Sequence, residues 1–349
     1  MDYSLDMKIG QMIMTGFRGT EVNQNSQIIH LIKNSHLGGV WLVDNDSPMG
    51  HTIGNIESAG QLKKLIQKLQ DASEVPLFVS IDAEGGEVIR LKEKYGFPAT
   101  LSAQYLGEQN DLSLTRDQAV NIAKTLKELG FNFNLSPVLD LNKNPNNQAL
   151  GRKQRCFSDD PYIVIQHATQ VIEAHHDQGI ICGAKHFPGH GSARDDSHID
   201  SVDVSETWSE DELIPYKELI EKGLVDAVLT AHVSLNRFDS QYPATLSKNI
   251  VTGVLREKLK FRGVVVSDDM NMGAIKENFN YENALELALN AGVDIILQSN
   301  VNHYDEKITE RTIEIIKKLI KLGKVSKEKI DESSQRIVQL KQKFKLNSR

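Results

Sequence analysis

Apolar residues in this chain fall into two alternating patterns. Short, nearly continuous runs at residues 11–17, 39–43, 76–81, 131–140, 180–186, 226–232, 263–267 and 293–297 read as strands. Between and after them lie stretches with apolar positions three and four apart, at residues 26–34, 55–73, 115–129, 162–176, 211–222, 248–259, 281–290, 305–322 and 327–343. In the first of these, Ile28, Ile29, Leu31 and Ile32 make one helical stripe. Runs this apolar suit strands covered on both faces, as parallel strands are. Eight strands, each followed by a helical stretch, predict an α/β protein built as a single (β/α)8 barrel of the TIM type. The competing doubly wound sheet lacks its phosphate-binding signature, since no G-x-G-x-x-G follows the first run. No linker-like stretch or shift in composition divides the chain, so residues 1–349 are expected to form one barrel domain.

Composition narrows the function classes. The chain is 40% hydrophobic and 25% charged, an ordinary globular balance. Its net charge is −7, with lysines spread along the helical stretches, so no basic patch invites nucleic acid. No apolar run reaches the roughly 18 residues of a membrane span. Cys156 and Cys182 are too few for a disulfide framework. The start, M-D-Y-S-L-D-M-K-I-G, lacks the basic and apolar segments of a signal peptide. A cytoplasmic protein is expected, or an exported one if a leader has been removed.

Chemistry collects where the apolar runs end. In a (β/α)8 barrel the C-terminal ends of the strands carry the active site. Asp82 ends the third run, Lys185-His186 the fifth, His232 the sixth, and Asp268-Asp269 follow the seventh. The loop after the fourth run carries Arg152 and Arg155. The densest stretch is K-H-F-P-G-H-G-S-A-R-D-D-S-H, from Lys185 to His198. Pro188, Gly189 and Gly191 stop it from continuing as strand or helix, and the two glycines would let residues 192–198 move. A solvated turn is the bland alternative. A metal site is another, but Pro188 and Gly189 keep His186 and His190 from presenting two imidazoles on one helix, so no metal is assigned. Asp268 and Asp269 suggest a carboxylate nucleophile. Adjacent strand residues face opposite ways, so only one of them enters the barrel mouth. His198 is a candidate proton donor because imidazole titrates near neutrality, and Asp196 could orient it. For Asp196 a turn-forming role is the alternative.

K-H-F-P-G-H-G followed by four residues and D-S-H resembles the signature of glycoside hydrolase family 3, in its β-N-acetylglucosaminidase branch. Further blocks of that family stand in order: Asp82-Ala83-Glu84-Gly85-Gly86 with Val88 and Arg90, Arg155-Cys156-Phe157 before Asp159-Asp160-Pro161, Thr230-Ala231-His232-Val233, and Ser267-Asp268-Asp269-Met270. The resemblance covers nearly the whole chain. It implies a retaining exo-hydrolase that releases terminal β-linked N-acetylglucosamine, typically from peptidoglycan fragments. Asp268 matches the nucleophile and His198 the acid/base, with Asp196 as its partner. Asp82, Arg90, Arg155, Lys185 and His186 match the sugar-binding positions. The implied partner is a small carbohydrate, with no cofactor, and the expected assembly is a monomer or weak dimer.

Some positions depart from the family pattern. Ala83 and Glu87 stand where Gln and Arg are frequent, which bears on contacts beyond the first sugar. The segment 151–155 is longer than usual, so Arg152 competes with Arg155 as the binding arginine. The β-glucosidase branch adds a second α/β domain with a glutamate donor, for which no segment remains after the eighth unit. Some relatives transfer the sugar to phosphate instead of water. Outside the family, the alternatives are a metal-dependent hydrolase on the same barrel and a glycan-binding barrel without catalysis.

Overall fold

The computed structural model describes residues 3–44, 54–194, 202–300 and 304–346. Eight short parallel strands form its inner layer: β1 (Ile13–Thr15), β2 (Gly39–Trp41), β3 (Phe78–Ile81), β4 (Phe133–Asn134), β5 (Ile181–Phe187), β6 (Ala227–Thr230), β7 (Val264–Val266) and β8 (Ile296–Gln298). Their order in the sheet is β7-β6-β5-β4-β3-β2-β1-β8. A parallel bridge from Val266 to Ile295 links the two ends of that order and nearly closes the barrel. The α/β barrel expected from the apolar pattern is therefore the observed architecture.

Most strands are shorter than their apolar runs. Gln11 ends the helix Leu5–Gln11, so the first run keeps only three residues for β1. The run 131–140 is interrupted because Pro137 has no N–H to give to the ladder. Beyond it the chain rejoins the sheet through an isolated bridge between Val138 and Lys185. Inside the barrel, side chains pack as rings and branches. Phe78 and Phe133 meet edge to face with centroids 5.5 Å apart. Gly39 makes room for this pair, since a Cβ there would come within 3.0 Å of the Phe78 Cβ.

The helices begin where polar caps allow. Ser58 forms a capping box with Gln61 ahead of Ala59–Asp71. Asp111 and Asp160 accept backbone N–H groups at the starts of Leu112–Leu129 and Pro161–Asp177. The stretch 211–222 opens as a 3-10 turn, Glu210–Leu213, before becoming the helix Ile214–Glu221. Residues Asn249–Lys258 wind as a π-helix rather than the α-helix expected there. Two small pairs escaped the apolar pattern because each strand is too short to show alternation. They are the hairpin of Ala83–Gly85 with Val88–Ile89 and the parallel pair Val202–Asp203 with Val233–Ser234.

Candidate active site

The strand ends place their charged residues around one cavity of about 360 Å³. It is lined by Trp41, Asp82, Arg90, Arg155, Lys185, His186, Asp268 and Asp269 among others. Asp82 leaves β3 pointing inward, and its carboxylate takes bonds from Lys185 Nζ at 2.7 Å, Trp41 Nε1 at 3.1 Å and Arg90 at 3.5 Å. Burial alone would raise its pKa, but Lys185, Arg90 and Arg155 outweigh that and hold it well below the usual carboxylate range. Two residues on, Glu84 shares the same face by strand alternation. It grips Arg155 with two bonds of 2.8 and 2.7 Å and also meets Lys185 at 2.7 Å. Burial opposes ionisation here too, yet Arg155 and Lys185 bring Glu84 down to about 2.

On the next wall, Asp140 orients His186. One carboxylate oxygen takes both the His186 backbone N–H, at 3.1 Å, and its Nδ1, at 2.6 Å. The His186 Nε2 then lies 3.3 Å from Arg155. The result is a set of donors and acceptors fixed to one another before any ligand arrives. Such a set suits a ring of hydroxyl groups, each of which both donates and accepts.

After β7 the two aspartates part company. Asp269 is buried and its carboxylate is held by the Ser299 hydroxyl and backbone N–H, and by the Asn271 N–H at 3.1 Å. Burial raises its pKa against these bonds. Asp268 is half-buried at the cavity wall, where its Oδ1 accepts the Asp269 N–H at 2.8 Å. One aspartate is thus tied into the wall, and the other is the carboxylate presented to the cavity.

Of the residues singled out from sequence, Asp82, Arg90, Arg155, Lys185, His186 and Asp268 come together on this cavity. His198 and Asp196 lie outside the described residues. Arg155 lines the cavity, whereas Arg152 is exposed to solvent and does not. His232 is buried away from it, with its ring nitrogens at the Thr245 hydroxyl and the Asp269 carbonyl. Gly189 and Gly191 serve close packing. A Cβ on Gly191 would stand 1.7 Å from the Leu141 carbonyl oxygen, and Asn147 and Asn144 bond the carbonyls of His190 and Ala193. Sequence reasoning passed over Glu84, Asp140, Trp41 and Ser299. For Glu84 the signal was present in the D-x-E spacing, and for Asp140 in its place at the end of an apolar run.

A barrel whose strand ends surround an inward carboxylate with paired polar groups has the layout of a carbohydrate-active site. The chain belongs to glycosyl hydrolase family 3: residues 4–340 match the family described as glycosyl hydrolase family 3 N terminal domain. It is 32% identical over 291 residues to a β-hexosaminidase of Tolumonas auensis, covering 82% of each chain. It is also 32% identical over 319 residues to β-hexosaminidase A of Pseudoalteromonas piscicida, covering 84% of this chain but spanning about half of that protein, 53%. Among solved structures it resembles a family 3 β-N-acetylglucosaminidase from Paenibacillus sp. FPU-7, with TM-score 0.90 and 33% identity, over 99% of this chain and 63% of that one. A β-N-acetylhexosaminidase from Beutenbergia cavernae matches with TM-score 0.87 and 26% identity, over 98% and 99% of the two chains.

Proposed function

We propose that the protein is a retaining exo-β-N-acetylglucosaminidase that acts as a single barrel. One observation carries this reading: Asp268 lines the same cavity as Asp82, Lys185, His186 and Arg155, while Asp269 is bound into the wall. In the proposed reaction Asp82, Lys185, His186 and Arg155 hold the hydroxyls of a terminal N-acetylglucosamine, with Arg90 behind Asp82. Fixing the ring there places its anomeric carbon against the Asp268 carboxylate. Asp268 attacks that carbon as the glycosidic bond breaks, and His198, oriented by Asp196, protonates the departing oxygen. His198 then takes a proton from water, which displaces Asp268 and releases the sugar with its configuration retained.

The natural substrate in this proposal is a peptidoglycan or muropeptide fragment ending in β-linked N-acetylglucosamine. Support comes from the β-hexosaminidases and β-N-acetylglucosaminidases that the chain resembles. The test is turnover of a chromogenic β-N-acetylglucosaminide beside the matching β-glucoside, each with and without phosphate. Preference for the first, unchanged by phosphate, is the expected result. Preference for the glucoside would overturn the substrate, and dependence on phosphate would overturn hydrolysis.

A further inference from the structure

One buried carboxyl group near the cavity takes no part in the proposed chemistry. Glu212 lies in the 3-10 turn Glu210–Leu213 and is fully buried. Its Oε2 accepts the Leu141 backbone N–H at 3.1 Å, while the buried Oε1 has no hydrogen-bond partner among the described residues. From the other side the chain passes so close that only glycine fits. A Cβ on Gly189, where φ is +122°, would stand 2.7 Å from the Glu212 Cβ and 2.8 Å from Oε2. The side chain is therefore wedged between the loop after β4 and the loop after β5.

A short chain of contacts runs from there to the cavity. Leu141 follows Asp140, whose carboxylate fixes the backbone and Nδ1 of His186 and takes the His190 N–H at 2.7 Å. His186 lines the cavity. We infer that Glu212 is a positioning residue: its carboxyl group holds the loop after β4 against the loop after β5 and, through Leu141 and Asp140, sets His186 at the cavity wall. This role rests on reading the cavity as an N-acetylglucosamine site.

The protonation states fit the arrangement. Burial, followed by the charge of Asp140, pushes Glu212 up to about 8, against Lys143 and the amides of Leu141 and Ser192. Burial also works against Asp140, but His186 and His190 prevail and keep it below its ordinary value. Two carboxyl groups in one buried pocket divide the roles, one ionised and one neutral. Tyr216 faces the same pocket; its buried hydroxyl has no hydrogen-bond partner among the described residues and is driven up by burial and then by both carboxyls. Near neutral pH Glu212 is uncharged, and ionising it sets a second negative charge beside Asp140. Because its folded value lies above the ordinary 4.5, the protein loses stability as pH climbs from about 4.5 to about 8.

The test is binding of N-acetylglucosamine, measured by titration calorimetry for wild type, Glu212→Gln and Glu212→Ala at about pH 6.5 and about pH 9. Glutamine keeps an acceptor for the Leu141 N–H and cannot ionise. Wild type should weaken several-fold at the higher pH, whereas Glu212→Gln should bind like wild type at the lower pH and stay constant. Glu212→Ala should bind about tenfold more weakly at both, because the loops lose their wedge. A purely structural residue would lower the melting temperature without moving the pH profile of binding. The role is overturned if Glu212→Gln follows the wild-type pH profile, or if it binds as weakly as Glu212→Ala. Should the alanine variant not fold, the glutamine comparison decides alone. A wild type that fails to bind N-acetylglucosamine at any pH would overturn the substrate reading and this role with it, and that failure is recognisable because it precedes any variant.

Discussion

Both ends of the barrel bury charged side chains, and among the described residues those at one end line a cavity of about 360 Å³. At the N-terminal end, Asp294 is surrounded by Arg256 at 2.7 Å, Arg336 at 2.9 Å and the Ser333 hydroxyl at 2.8 Å. Asp226 there meets His176 at 2.6 Å and Lys343 at 2.7 Å. Each cluster ties a helix of the outer ring to the foot of a strand. At the C-terminal end Asp82, Glu84, Lys185 and Arg155 are paired just as closely, yet Asp82, Lys185 and Arg155 border a cavity that Asp268 also lines. Burial and ion pairing alone therefore do not mark a site. What separates the two ends is an adjoining cavity with a carboxylate facing into it.

The sharpest way to break this contrast is to remove one carboxylate from each end. Asp268→Asn should leave the melting temperature nearly unchanged and cut kcat by several orders of magnitude, because no covalent intermediate can form. Asp269→Asn should be milder in catalysis and harsher in stability, since it disturbs the bonds to Ser299 and Asn271. If Asp269→Asn were the dead variant and Asp268→Asn active, the assignment at the end of β7 would be reversed. Asp294→Asn should do the opposite of Asp268→Asn. Breaking a buried ion pair costs about 3–5 kcal/mol, so it should melt far lower while keeping wild-type kcat/KM wherever it stays folded.

The third prediction concerns the acid/base. His198→Ala should lower kcat/KM for a disaccharide by about 10²–10⁴, but much less for a nitrophenyl glycoside, whose leaving group departs without a proton. Asp196→Asn should share that pattern more weakly. Equal losses on both substrates would mean another donor. His232, buried with both ring nitrogens beside hydrogen-bond partners, is poorly placed to be it.

The smallest effects are those of pH on stability, and at the two ends they should fall in different pH windows, with stability rising with pH in each. Glu84 is brought from 4.5 to about 2 in the folded protein, so its stabilisation is present above its ordinary value and lost as pH falls toward 2. At the other end, burial lowers Lys341 from 10.5 to about 7, so stability rises as pH climbs between those values. Melting curves should show that Lys341→Met removes the alkaline gain and leaves the acid loss. Persistence of the alkaline gain in that variant would refute the assignment.

The same contrast accounts for which features were legible in the sequence. Asp82, Lys185, His186 and Asp268 were visible because a charge that closes an apolar run in a barrel stands at the rim where strands open to solvent. The alternation of strand and helix was visible too, as burial on both faces leaves few polar residues inside a strand, such as Ser80 and Asn134. Glu84 and Asp140 were harder, since their work is to orient Arg155 and His186, and a supporting carboxylate has no spacing of its own. The clusters around Asp226 and Asp294 join residues up to 117 positions apart, such as Asp226 and Lys343, and only folding brings them together. Arg152 and Arg155 were indistinguishable by residue type. The turn Gly151–Lys153 and the grip of Glu84 decide which one faces inward.

The most direct measurement of the central claim is to look for the bond itself. In His198→Ala supplied with a nitrophenyl β-N-acetylglucosaminide, the first step proceeds and the second lacks its base, so the glycosylated protein should accumulate. Quenching in acid, digesting and fragmenting the peptides should place one N-acetylglucosaminyl adduct on Asp268. An adduct on Asp269 or another residue, or turnover with no adduct in any quenched sample, would contradict it.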